Sequence, residues 1–296
     1  MVARTLFRTF CLCLIVAVGA TACRRVQSLE QSGDPLSNAW NDYRLNEFNR
    51  AVATFQSVAD KATPGSEEHI QALYGLATTW NLRLPQQDQD KPLAKSLYEK
   101  ILEIAPQSTL APWADLALAR LLHLVPVGED ADYKVVRPAY QRIIDRYPGH
   151  LAAREAHIYL IATKVATLEP AELRAAVADL KLFLSQTNDT SFFKSAYSLL
   201  AVSCNTLGDQ QGRLDAELGS LKYTEIDPTN PFNEFSWQYW NIATIAEFEL
   251  GDFETARTYY KKLLEEYPRD RKVYGVKTAL KRMDDLEAKL RAGGKP

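Results

Sequence analysis

Three stretches of the chain carry one pattern: "LAKSLYEKILEIAPQS" from Leu93, "VVRPAYQRIIDRYPGH" from Val135 and "GDFETARTYYKKLLEEYPRD" from Gly251. Superposed, they align Ala94 with Val136 and Ala256, Tyr98 with Tyr140 and Tyr260, Ile101 with Ile143 and Leu263, and Pro106 with Pro148 and Pro268. A small or branched residue, an aromatic four later and an aliphatic three after that lie on one face of a helix. Five residues further on, proline ends the helix, because it has no N–H to donate and disfavours helical backbone at the residue before it. One helical hairpin cannot cover its own apolar face, so repeated units of this kind must stack.

A chain of 296 residues exceeds what a single compact core usually holds, and the repeats favour an elongated array over two globules. Hydrophobic residues make up 46% and charged residues 24%, which excludes a disordered chain. The pattern predicts six units, with second helices near Phe48 to Ala59, Leu93 to Ala105, Val135 to Tyr147, Ala171 to Leu184, Gln210 to Leu221 and Phe253 to Tyr267. Val273 to Leu290, with its polar outer face, reads as a capping helix. Pro64, Pro106 and Pro148 recur every 42 residues, and the extra length falls in "RLPQQDQDKP" from Arg83 and "VPVGEDADYKVV" from Val125, both read as loops.

The offsets of alanine, aromatic, aliphatic and proline resemble the second helix of a tetratricopeptide repeat. Ahead of the "GDF" turn, Trp240, Ala243, Thr244 and Glu247 stand at the first-helix spacing of that family, as do Tyr197, Leu200, Ala201 and Cys204 ahead of "LGD" at Leu207. A period near 42 also suits HEAT-type helix pairs, which do not carry the alanine, aromatic and proline spacing three times over. The resemblance implies an all-α fold, a right-handed superhelical array of antiparallel helix pairs over residues 36–296 with the cap at 273–290. It further implies a concave groove lined by first helices. Carried onto this sequence, the groove positions are Ser195, Ser198, Val202 and Thr206 in the fifth unit, and Gln238, Asn241, Ile245 and Glu249 in the sixth. Amides there would bind a peptide backbone, and Val202 or Ile245 would fill side-chain pockets.

The N-terminus, "MVARTLFRTFCLCLIVAVGATAC", has Arg4 and Arg8, an apolar segment from Phe10 to Val18, and small residues up to Cys23. This is the layout of a secretory signal peptide over residues 1–22, too short for a membrane span. Small residues before a cysteine resemble the lipobox of bacterial lipoproteins, although Ala20 stands where that family usually has leucine. Lipidation of Cys23 is the expectation, with residues 23–35 as linker; plain cleavage after "ATA" is the alternative. Arg24 follows in place of the aspartate that marks inner-membrane retention, so the expected location is the outer membrane, facing the periplasm. Cys11 and Cys13 would leave with the peptide, so Cys204 would be the one free thiol, with no intrachain disulfide possible.

Chemistry is poorly supported. His69, His123, His150 and His157 lack the spacing of a zinc helix, and no phosphate or dinucleotide loop occurs. No metal, cofactor or catalytic activity is expected. Formal net charge is -2, and 35 basic residues less Arg4 and Arg8 leave 33 against 37 acidic ones. No basic stripe interleaved with aromatics is visible along the chain, so no nucleic-acid partner is expected. Cys204 reads as a buried thiol between helices. "NPFNEFSWQYW" carries more aromatics than one helix can bury, which suggests an exposed aromatic patch at Trp237 and Tyr239.

Lipobox and repeats together resemble the tetratricopeptide lipoproteins of bacterial outer-membrane protein assembly, the BamD group, and the periplasmic coordinators built of the same repeats. That resemblance implies a lipid-anchored scaffold that holds other proteins. A lipoprotein binding a glycan or small ligand through the aromatic patch is the alternative reading.

Overall fold

The computed structural model describes residues 33–126, 128–186, 189–226 and 235–293. The expected signal segment, Cys23 and most of the expected linker lie outside them. The described residues form thirteen helices and no strands. They are α1 (Pro35–Arg44), α2 (Phe48–Lys61), α3 (Glu67–Leu82), α4 (Asp90–Ile104), α5 (Ala111–His123), α6 (Tyr133–Arg146) and α7 (Leu151–Val165), followed by α8 (Pro170–Ser185), α9 (Phe193–Leu207), α10 (Gln210–Lys222), α11 (Ser236–Thr244), α12 (Phe253–Glu266) and α13 (Val273–Arg291). A π-helical turn, Ile245–Leu250, extends α11.

The three aligned stretches are α4, α6 and α12, and the shared positions are their buried face. Ala94, Val136 and Ala256 have no exposed surface, Tyr140 and Tyr260 likewise none, and Ile101, Ile143 and Leu263 are sealed beside them. The helices end alike. Ala105, Tyr147 and Tyr267, each preceding a proline, leave helical geometry at φ of -144°, -125° and -128°, and each N–H still reaches the carbonyl four residues back. Proline sterics thus write the same stop three times.

The chain divides into two compact units, with the division after Leu121, inside α5. In the first unit, neighbours in sequence from α1 to α4 pack in order, and α1 also touches α3. In the second, α6 to α13 pack in the same serial order, and α7 also touches α9. Sequential pairing, with contacts between the first helices of successive pairs, is the architecture of an α-solenoid. The two sequence-expected loops are shorter than expected. Asp90 opens α4 and Tyr133 opens α6, so Pro92 and the Val135–Val136 pair are helical; Pro92 is tolerated because it falls in the first turn.

The α10 helix departs from the pattern. Gly212, Ala216 and Gly219 occupy the positions where α4 carries Ala94, Tyr98 and Ile101. Space left by the missing side chains is filled from outside: Tyr197 of α9 lies against Gly219 and stacks on Tyr223, ring centroids 5.8 Å apart.

Candidate partner-binding face

The α9 helix starts after Phe192 and stops at Gly208, whose φ of +78° is the left-handed conformation glycine adopts without strain. Its inner side is apolar, with Phe193, Ala196, Leu200 and Cys204 buried. Ser195, Ser198, Val202 and Thr206 all emerge on the opposite, exposed side. Ser198 donates its hydroxyl proton to the Lys194 carbonyl at 2.9 Å, and Thr206 donates to the Val202 carbonyl at 2.9 Å. The Thr206 hydroxyl has spent its only proton inside the helix and presents oxygen lone pairs outward, while Ser198 Oγ also lies 3.4 Å from Ser220 Oγ of α10. Val202, half exposed, supplies the one apolar spot between them. The strip can accept N–H groups from an extended chain and cover one apolar side chain.

The equivalent strip on α11 is only partly available. Gln238 is half-buried and its Nε2 donates to Thr224 Oγ1 at 3.3 Å. Asn241 donates to Glu217 Oε1 at 2.8 Å. Burial raises the Glu217 carboxyl above its ordinary pKa, against the opposing effects of the Asn241 N–H and Arg213. Glu249 is exposed.

Ile245, expected in the groove, is 2% exposed and belongs to the core with Ile242, Ala246 and Tyr260. The π-helical turn that begins at this residue packs against α10, whose Leu214 lies in the same core cluster, and that contact covers the side chain. The turn's wider winding shifts every later side chain from the position that regular α-helical spacing assigns, and it closes with the Asp252 N–H donating to the Ala246 carbonyl at 2.8 Å.

The aromatic patch needs a similar correction. Trp237 is 63% exposed, but Tyr239 is buried, its hydroxyl donating to Glu266 Oε2 at 2.9 Å among the rings of Phe235, Tyr259 and Tyr267. Burial, reinforced by the Glu266 hydrogen bond, pushes the Tyr239 phenol far above its usual pKa. Residues two apart on a helix point in widely different directions, and that spacing already separated the two rings. The exposed aromatics of this region are Trp237, Phe248 and Tyr274.

Cys204 is buried, and its thiol pKa is raised by burial first and by Asp209 second. His150 caps α7, its Nδ1 accepting from the Ala152 N–H at 3.1 Å. His123 Nδ1 lies 3.0 Å from the Tyr140 hydroxyl. Among the described residues no group of three or more histidine, cysteine, aspartate or glutamate side chains could hold a metal ion, and no helix is long and apolar enough to cross a membrane.

Residues 239–270, the span of α11 and α12, match the model of the tetratricopeptide repeat. The chain is also similar to a solved structure, residues 1–338 of the assembly chaperone of RpL4 (Acl4), at 13% identity and a TM-score of 0.44 over 87% of this chain and 98% of that one. No curated protein matches the chain.

Proposed function

We propose that the chain is a lipid-anchored scaffold of the bacterial cell envelope, gripping segments of other proteins on the exposed faces of its first helices. The observation that carries this reading is the α9 strip: four side chains in helical register, all exposed, two of them hydroxyls whose protons are already committed. It stands beside the tetratricopeptide repeat of α11 and α12, an architecture suited to protein recognition. The work proposed is binding, with no catalytic step and no cofactor.

The anchor rests on sequence. Arg4 and Arg8, the apolar run and the small residues before Cys23 fit a lipoprotein signal, and a diacylglyceryl group on the Cys23 thiol would be the membrane attachment. Combined with the repeats, it supports a resemblance to the BamD group, with the outer membrane, facing the periplasm, as the proposed location and proteins rather than nucleic acid as the proposed partners.

Two experiments test the two halves. Cys23→Ser should leave an unprocessed precursor; normal processing with release of soluble protein would sink the anchor. Affinity purification of the acylated protein from detergent-solubilised membranes should bring down a reproducible set of envelope proteins by mass spectrometry. Glycan binding in the absence of any protein partner would overturn the scaffold.

A further inference from the structure

Side chains link α13 and the turn before it to α11 and its π-helical extension at three points, taken in the same order along both. Lys272 Nζ is 3.3 Å from Ser236 Oγ, Gly275 rests against the Trp240 ring, and Arg282 Nε donates to Glu247 Oε1 at 2.9 Å. Near these contacts Trp237 and Tyr274 stand 63% and 83% exposed, with Lys272 Nζ 5.9 Å from the Trp237 ring centroid.

The charge here is one-sided. Residues 271–283 hold five cations, Arg271, Lys272, Lys277, Lys281 and Arg282, and no acid; residues 236–246 of the neighbouring helix hold no charge at all. Lys272 is committed to Asp270 and Arg282 to Glu247. Arg271, Lys277 and Lys281 are exposed and form no ion pair among the described residues. Lys277 and Lys281 lie within about a third of a helical turn of Tyr274, on the side of α13 opposite buried Val276, Ala279 and Met283, and Arg271 stands in the turn just before the helix. The N-terminal end of α13 adds its own partial positive charge beside Trp237. In a chain of formal net charge -2, such a local excess favours an anionic partner.

The extent of the patch selects the kind of anion. From Arg271 to Arg282 it runs about 17 Å along α13, the reach of roughly five extended residues. Beyond its far end stand exposed Glu249, Asp284 and Asp285, which would repel a bilayer surface or a long nucleic acid continuing past the patch. A short acidic segment with one apolar side chain fits between.

We propose that the paired faces of α11 and α13 bind an acidic segment of a partner protein, its carboxylates on Arg271, Lys277 and Lys281 and an apolar side chain against Trp237 and Tyr274. This deepens the scaffold reading and rests on it. The sequence alone does not show the whole patch, because Trp237 comes from a helix more than thirty residues before the cations and Tyr274.

The test is selection of a phage-displayed random peptide library on the purified full chain, followed by fluorescence anisotropy of the selected peptides. Enrichment of aspartate and glutamate around an aromatic or leucine is expected, with affinity falling roughly tenfold in Lys277→Glu/Lys281→Glu and in Tyr274→Ala. These side chains are exposed, so unchanged helix content in each variant shows that folding is intact. Selected peptides without acidic bias, or indifferent to both variants, would overturn this site while leaving a protein scaffold that uses the α9 strip. No enrichment at all, with binding instead to phosphatidylglycerol vesicles or to an oligothymidylate, would overturn both.

Discussion

The hydroxyl of Tyr260, fully buried, donates to the carboxylate of the buried Glu247 at 2.9 Å. Tyr260 is the repeat aromatic of α12, Glu247 stands on the π-helical turn, and the second carboxylate oxygen receives Arg282 of α13. One buried acid thus ties the last repeat to its cap. Burial pushes the Tyr260 phenol well above its usual pKa, and the Glu247 hydrogen bond adds to it.

Removing either donor should therefore cost unequally. Arg282→Met leaves a buried carboxylate with Tyr260 alone and should destabilise by about 2 kcal/mol, less than a fully buried pair because the arginine is half in water. Tyr260→Phe removes one hydrogen bond and should cost about 1 kcal/mol. Urea unfolding followed by circular dichroism checks the order; equal costs would mean that solvent already screens the arginine.

A second contact sets the limits of size in the first unit. Gly75 of α3 lies directly against the ring of Phe55, and a Cβ at that position would collide with it. Alanine ordinarily stabilises a helix relative to glycine by about 1 kcal/mol. Here Gly75→Ala should destabilise by about 1–3 kcal/mol, because Phe55 is fully buried and has nowhere to move. Adding Phe55→Leu should recover part of the loss; a double variant as unstable as the sum of the two singles would show that the ring is not the cause.

Which parts of this architecture are written locally follows from such contacts. The second helices and their stops were legible because alanine, tyrosine, isoleucine and proline recur at fixed offsets, and those side chains are the buried face in the folded chain. The α10 helix carried a weaker signal, since the room at Gly219 is filled by Tyr197 of another helix and that at Gly212 by Asp209 and Cys204. At the candidate site the exposed face of α9 followed from regular spacing, whereas the burial of Ile245 did not, because it comes from packing against α10, which spacing within one helix does not report. Glu247 was equally hidden: it occupies a packing position of the repeat, and what makes a charge tolerable there is an arginine 35 residues away.

The repeat tyrosines should make stability fall in alkali. Burial pushes the Tyr98 phenol up to about 12, with the Thr78 hydroxyl 3.3 Å away acting weakly in the opposite sense. The folded state holds the neutral form, so its contribution is full below the unfolded value near 10 and is lost as pH rises through about 12. Urea midpoints should drop across that window, and the drop should shrink in Tyr98→Phe. A slope unchanged by the substitution would assign the alkaline loss to other groups.

At the start of α4 the sign reverses. Arg83 grips Asp90 with two bonds, Nε to Oδ2 at 2.6 Å and Nη2 to Oδ1 at 2.7 Å, while the Gln87 N–H reaches Oδ2 at 2.8 Å. Burial alone would raise the Asp90 carboxyl, but the guanidinium and the backbone N–H outweigh it and hold the group below its ordinary pKa. The stabilisation is then present above the unfolded value of about 4 and is lost as pH falls through the lower folded value. Asp90→Asn, which leaves a nearly buried guanidinium without its anion, should cost about 3 kcal/mol at neutral pH. That gap should close in acid, because protonated aspartate is no better a partner than asparagine. Urea midpoints of the two proteins should converge below about pH 4; a constant gap down to about pH 2 would mean that Asp90 is not ionised in the fold.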